Sequence, residues 1–259
     1  MHERMETLFP LTPVPVFAAA VLITLLAGTV KGIVGFAMPM VMVSLFSSVK
    51  DPELGLAGVF LPALVTNVAQ ALRQGWRAAW EAMVQFRLFL GVGCLALLIS
   101  AQMVRVLPQE MLLLMIGVPV SFFSALQLLG WTLKLPKRGQ GWIESILGGV
   151  AGFMGGFSGV WGPPTVMYLT ALNTPKDAQM RVQGVIYGAG AVLLVGSHLV
   201  SGVLRAETLP FSAVLVVPAL IGVAIGSALH DRIDQRSFRK ATLFVLLIVA
   251  LNLVRRGLM

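Results

Sequence analysis

Charge is almost absent along most of this chain, and that feature constrains its fold more than any other. Nine stretches of 14 to 31 residues contain no Asp, Glu, Lys or Arg, and together they hold 192 of the 259 residues. A helix needs about 20 apolar residues to cross the hydrocarbon core of a bilayer. Only 12% of the residues are charged, about half the share in a soluble domain. These numbers predict a polytopic membrane protein and exclude a soluble enzyme, a disordered chain and a disulfide-rich secreted domain.

The stretches are apolar all round, which predicts an all-α chain rather than alternating barrel strands. The formal net charge of +8 comes from Lys and Arg that lie between the apolar runs. This placement is what membrane insertion requires, so we expect the chain to lie in a lipid bilayer and not to bind nucleic acid.

A pattern of glycines and a proline occurs twice, 124 residues apart. Its members are Gly28, Gly32, Gly35 and Pro39, then Gly152, Gly156, Gly159 and Pro163. We interpret the chain as two homologous repeats, residues 1–133 and 141–259, joined by a loop at 134–140. Each repeat is predicted to have four segments and to open with a Gly/Pro-broken or re-entrant helix.

The broken segments are predicted at about 14–48 and 145–172, and the ordinary spans at 54–72, 86–104, 111–132, 179–204, 208–230 and 238–254. If each broken segment crosses once, Lys and Arg divide ten against eight between the two faces. If each re-enters, they divide twelve against six, which is a usable positive-inside bias. The second arrangement inverts the repeats relative to each other, an architecture typical of secondary transporters.

The first candidate site surrounds Lys31 in the string KGIVGFAMP. Gly32 and Gly35 weaken a helix, and Pro39 removes a backbone donor, so a break is predicted within 28–39. Non-helical backbone at membrane depth lines a cavity or packs against protein. Lys31 is then a counter-charge for an anion, or else it reaches the interface.

The second candidate site is the string GGFSGVWGPPT, where a half-helix beginning near Pro163 is expected to direct free N–H groups at an anion. Its candidate binding residues are Gly156, Ser158, Gly159, Trp161, Gly162 and Thr165. The spans that follow the breaks add Asn67, Gln70, Arg73, Gln183 and Tyr187. Arg73 is alternatively a positive-inside residue at the membrane end. His198 is the candidate for proton coupling, or else a structural hydrogen-bonding residue.

No Asp or Glu lies inside an apolar run, and no nucleotide-binding, metal-binding or Ser-His-Asp motif occurs in a usable context. We therefore expect no enzyme activity, no cofactor and no metal.

The strings AGTVKGIVGFAMPMV and GFMGGFSGVWGPPTVMYL resemble the repeated motif of the TauE/SafE sulfite exporter family, also called the toluene sulfonate uptake permease family. The resemblance covers nearly the whole chain. Members often have a further glycine after the Gly-Phe pair, where this chain has Ala37. The resemblance implies transport of small sulfur-containing anions, such as sulfite or organosulfonates, across a bacterial inner membrane.

The resulting hypothesis is a secondary carrier, an exporter, that holds a small anion between two broken helices. A membrane scaffold or assembly factor and an anion channel remain alternatives. The identity of the anion, the direction of transport, the coupling ion and a homo-oligomeric state stay open.

Overall fold

The structure is a computed structural model that describes residues 14–49, 52–103, 109–131, 141–158, 161–201 and 209–259. These residues form eleven helices and no strand. The helices are α1 (Val14–Val34), α2 (Met38–Val49), α3 (Pro52–Leu72), α4 (Trp76–Gln85), α5 (Arg87–Met103), α6 (Gln109–Leu128), α7 (Gly141–Ser158), α8 (Gly162–Ala171), α9 (Lys176–Ser201), α10 (Leu209–Arg232) and α11 (Gln235–Gly257). The all-α prediction is confirmed for this part of the chain.

Three of the described helices, α1, α10 and α11, are long and apolar enough to cross a membrane. A fourth candidate is the pair α4 and α5, whose axes are bent by 77°. Helix α4 was missed by the sequence prediction, which began this span at residue 86. It is short and amphipathic, with Arg77 and Glu81 exposed and Ala79 and Ala82 buried.

Glycines allow α1 to pack closely along α10. A Cβ on Gly28 would lie 2.6 Å from the Ala219 carbonyl oxygen, and one on Gly226 would lie 2.1 Å from the Thr29 carbonyl oxygen. The two helices run parallel and present a small-residue face to each other, as membrane helices do when their backbones approach closely. Helix α7 packs in the same way along α5, where a Cβ on Gly152 would lie 1.9 Å from the Gly93 carbonyl oxygen.

Helices α1 and α2 form a hairpin. Phe46, near the end of α2, packs edge-on against Phe211 at the start of α10, in an apolar cluster that also contains Ala20 of α1. Both ends of the hairpin therefore lie at the end of the bundle where α10 begins, and its tip at residues 35–37 points toward the end of α10.

Helices α7 and α8 form a second hairpin, which enters from the opposite end. Tyr168 of α8 stacks on Phe89 near the start of α5, where Glu144 of α7 also accepts a hydrogen bond from the Phe89 N–H. The start of α5 lies near the end of α3, where Arg73 pairs with Asp231 at the end of α10. The two hairpins therefore approach each other from opposite ends of the helix bundle.

Candidate functional site

The first helix break lies at residues 35–37, within the predicted interval 28–39. Gly35 has φ +87°, a conformation that favours glycine, and a Cβ there would displace the Gln183 amide, which would lie 1.8 Å away. Ala37 also has a positive φ, +76°, a conformation that costs a non-glycine residue of order 1–3 kcal/mol. Helix α2 begins at the next residue.

Side chains from two other helices satisfy the carbonyl groups that the break leaves without partners. Pro39 has no N–H with which to reach the carbonyl of Gly35, four residues earlier. Gln70 Nε2 donates to that carbonyl at 3.1 Å and to the Met180 carbonyl at 2.8 Å. With its amide nitrogen facing the break, Gln183 donates to Val34 and Gly35 at 3.1 and 3.2 Å. Both glutamines therefore cap the end of α1.

Lys31 is buried one turn before the break, with 2% of its surface exposed. Its Nζ donates to Thr66 Oγ1 at 3.0 Å and to Asn67 Oδ1. Both acceptors are neutral, and among the described residues no carboxylate pairs with Lys31. A buried ammonium without an opposite charge costs several kcal/mol of folding free energy.

Sequence reasoning missed Thr66. Its hydroxyl donates to the Pro62 carbonyl at 2.6 Å, which leaves the oxygen lone pairs facing the Lys31 ammonium. The only signal in the sequence was its position next to Asn67, on a helix interrupted by proline.

The second break separates α7, which ends at Ser158, from α8, which begins at Gly162. The indole of Trp161 fills the space above Gly190, where a Cβ would lie 1.0 Å from the ring. Trp161 also packs against the Tyr187 ring at a centroid distance of 6.5 Å. Tyr187 Oη donates to the Gly162 carbonyl at 3.3 Å, so α9 holds the start of α8 in place.

The prediction that several N–H groups at the start of α8 face an anion needs correction. Pro163 and Pro164 occupy the first turn and have no N–H, and the Thr165 hydroxyl donates to the Trp161 carbonyl at 2.9 Å. Before Thr165, Gly162 is the residue of this helix that has an amide N–H. The second break offers fewer donors than its glycine content suggested.

The two breaks meet at their tips. A Cβ on Gly162 would lie 3.3 Å from the Phe36 ring, and one on Gly188 would lie 3.9 Å from Asn67 Cβ. The fold therefore brings three parts together around α9: the first break, Lys31 with its partners Thr66 and Asn67, and the start of α8. Lys31, Gly35, Asn67, Gln70, Trp161, Gly162, Thr165, Gln183 and Tyr187 all lie in or beside this centre.

Other candidates lie elsewhere. Gly32 faces α10, where a Cβ would lie 2.5 Å from the Val223 carbonyl oxygen, so packing explains this glycine. Arg73 pairs with Asp231 at 2.6 Å in a partly exposed position. Gly156 is half-buried near the end of α7. Gly159 and the side chains of Ser158 and His198 lie outside the described residues.

His230 is a second residue that sequence reasoning did not single out, although the predicted span 208–230 ends on it. His230 is fully buried. Its Nδ1 lies 3.1 Å from the Ile33 carbonyl oxygen, and its Nε2 lies 3.1 Å from Asp177 Oδ1.

Across the described ranges, no group of three or more His, Cys, Asp or Glu residues is placed to hold a metal ion. The centre is instead a set of amides, hydroxyls and one ammonium. Apolar helices that enclose such a centre define an all-helical membrane protein.

The family model described as sulfite exporter TauE/SafE matches residues 20–253. The chain therefore belongs to the TauE/SafE sulfite exporter family, a family of membrane transporters. Comparison with curated proteins and with solved structures gave no significant match.

Proposed function

We propose that this chain is a secondary transporter that exports small sulfur-containing anions, such as sulfite or organosulfonates, across a bacterial inner membrane. Family membership supports the substrate class. The observation that carries the proposal is Lys31, which is buried beside a helix break with only neutral hydrogen-bond partners. A small anion at this ammonium neutralises a charge that otherwise remains buried and unpaired.

The anion's ligands follow from the neighbouring groups. The Lys31 ammonium donates to Thr66 and Asn67. An arriving anion accepts from the ammonium, and the Asn67 amide nitrogen and the N–H groups of the break are further donors. Gln70 and Gln183 hold the break in position by capping its carbonyls. We assign them a positioning role rather than direct contact with the substrate.

The mechanism we propose is alternating access between two inverted repeats, residues 1–133 and 141–259. One support is that the two hairpins enter from opposite ends of the bundle. A second is that the first helix of each hairpin packs through glycines against a helix of the other repeat, α1 against α10 and α7 against α5. Rocking of one repeat against the other would expose the centre to each side in turn. A membrane potential that is negative inside favours anion export by about 2.3 kcal/mol per charge per 100 mV.

The test is counterflow of labelled sulfite and a panel of sulfonates in proteoliposomes that contain the purified chain. Lys31→Met removes the charge with little change in volume, and Lys31→Arg keeps it. Arg77→Gln removes an exposed charge on α4 and serves as the matched control. We expect wild type and Arg77→Gln to exchange a sulfur anion, and Lys31→Met to lose at least about 90% of that exchange, equivalent to about 1.4 kcal/mol.

Flux without trans-stimulation would instead favour the anion channel. Absence of flux for every sulfur anion, with folded protein in the vesicles, would contradict transport and favour the scaffold.

A further inference from the structure

We propose that His230 binds a proton that is coupled to transport, so that its protonation state controls how the first helix break is held. This inference rests on the anion transport proposed above. His198 was the sequence-based candidate for this role, and the geometry points to His230 instead.

The ring of His230 faces an acceptor at each nitrogen. Nδ1 contacts the Ile33 carbonyl and Nε2 contacts the Asp177 carboxylate, both at 3.1 Å. A carbonyl and an ionised carboxylate only accept hydrogen bonds, so the ring satisfies both when each nitrogen carries a hydrogen. The imidazolium is the one form of the ring that donates to both acceptors.

The Ile33 carbonyl makes this contact relevant to the transport site. In a continuous helix it would accept from the amide four residues later, at Ala37, but the helix ends at Val34. His230 supplies a donor that the broken helix lacks, as Gln70 and Gln183 do for the next carbonyls. Its ring therefore ties the end of α1 to α9.

Charged groups on the neighbouring elements shape this proton site. From α9, Lys176 Nζ donates to the carbonyls of His230 and Ile233 at 2.9 and 2.6 Å. The Lys176 charge disfavours a positive charge on the His230 ring, whereas the Asp177 carboxylate favours it. From α11, the uncharged Phe238 ring packs edge-on against the imidazole. From α3, Arg73 is paired with Asp231. On α1, Lys31 points to Thr66 and Asn67.

Loss of one proton forces a choice between the two bonds. A neutral ring has one N–H, and the Ile33 carbonyl requires it at Nδ1, so the lone pair of Nε2 then faces the Asp177 carboxylate. This repulsion breaks the contact between His230 and Asp177, and so releases α9 from the place where α1 and α10 meet. Asp177 is 57% exposed at its side chain, which gives the proton a route between Nε2 and water.

The first arm of the test measures protonation without transport. The chain has three histidines, so ¹⁵N-histidine NMR in micelles resolves His230 through the signal that His230→Gln removes. As the pH is raised, we expect the ring to change from the imidazolium to the Nδ1–H tautomer. A ring that stays neutral throughout, or an Nε2–H tautomer, would overturn the proposal.

The second arm measures coupling in proteoliposomes with methanesulfonate and an internal pH dye. Methanesulfonate is fully ionised at neutral pH, so any proton that moves with it is carried by the protein. We expect His230→Gln to lower the number of protons moved per sulfonate exchanged by about tenfold or more. His198→Gln should leave this number unchanged.

Coupling that survives in His230→Gln, or that is lost in His198→Gln instead, would overturn the assignment. Wild-type exchange without proton movement would also contradict it while leaving the transport function intact. If wild type exchanged neither methanesulfonate nor sulfite, the transport function itself would be contradicted, and with it the coupling proposal.

Discussion

Ala37, at the first helix break, has a strained backbone conformation. Its φ of +76° belongs to the left-handed region, which costs a residue with a side chain more than it costs glycine. The backbone at the first break therefore has a conformation that favours glycine, although this chain has alanine there.

Replacement of Ala37 by glycine should therefore stabilise the folded protein. Relief of strain outweighs the greater entropy of the unfolded chain, so we expect Ala37→Gly to raise the free energy of unfolding by about 1 kcal/mol. Unfolding in mixed micelles measures the change. Ala27→Gly, in the interior of α1, is the matched control and should lower stability by about 1 kcal/mol. Equal losses in the two variants would contradict the strain at residue 37.

At the scale of the element, the broken helix α1 is held by polar side chains from three other helices. Gln70 of α3 and Gln183 of α9 donate to the carbonyls of residues 34 and 35, and His230 Nδ1 of α10 lies 3.1 Å from the Ile33 carbonyl oxygen. A buried carbonyl without a partner costs about 1–3 kcal/mol. The break is thus a defined structural feature with its own set of partners.

The two glutamines should be energetically coupled, because both donate to the Gly35 carbonyl. We expect Gln70→Leu and Gln183→Leu each to lower the free energy of unfolding by about 1–2 kcal/mol. The double variant should lose more than the sum, by about 1 kcal/mol, because it removes the last donor to that carbonyl. A double-mutant cycle in micelles measures this difference.

The exposed Gln85→Leu serves as a control that should change stability by less than about 0.5 kcal/mol. Simple additivity of the two buried variants would contradict the shared carbonyl.

Much of this element structure could be predicted from the sequence, because uncharged runs and Gly/Pro clusters are local signals. The ends of α3 and α10 and the break at residues 35–37 follow from them. Contacts between distant residues could not be predicted. Thr66 and His230 acquire their roles from α1, which is 35 and 197 residues away in sequence. Arg73 looked like a site residue because its partner Asp231 lies on another helix.

At the scale of the whole molecule, the directions of the two hairpins predict the topology of the chain. Arg77 and Arg236 lie at the end of the bundle where α3 and α10 end and α11 begins, and Leu258 follows the far end of α11. The re-entrant arrangement predicted from the sequence puts the larger group of Lys and Arg on the first of these faces, so we expect this face to lie in the cytoplasm.

Thiol labelling should reveal this arrangement. In a Cys94→Ser background, we expect Arg77→Cys and Arg236→Cys to resist an impermeant maleimide in intact cells and to react in inverted vesicles. Leu258→Cys, at an exposed position, should show the opposite pattern. Reaction of all three from the same side would contradict the proposed topology.

The most direct test of the central claim is the thermal stability of the purified chain across a panel of sulfite, sulfonates, lactate and chloride, with wild type and Lys31→Met measured side by side. An anion that binds the folded state at 100 times its Kd stabilises it by about 2.7 kcal/mol. We predict a rise in Tm with at least one sulfur anion for wild type and none for Lys31→Met. An equal rise in both proteins would contradict the assignment of Lys31 as the counter-charge of the anion.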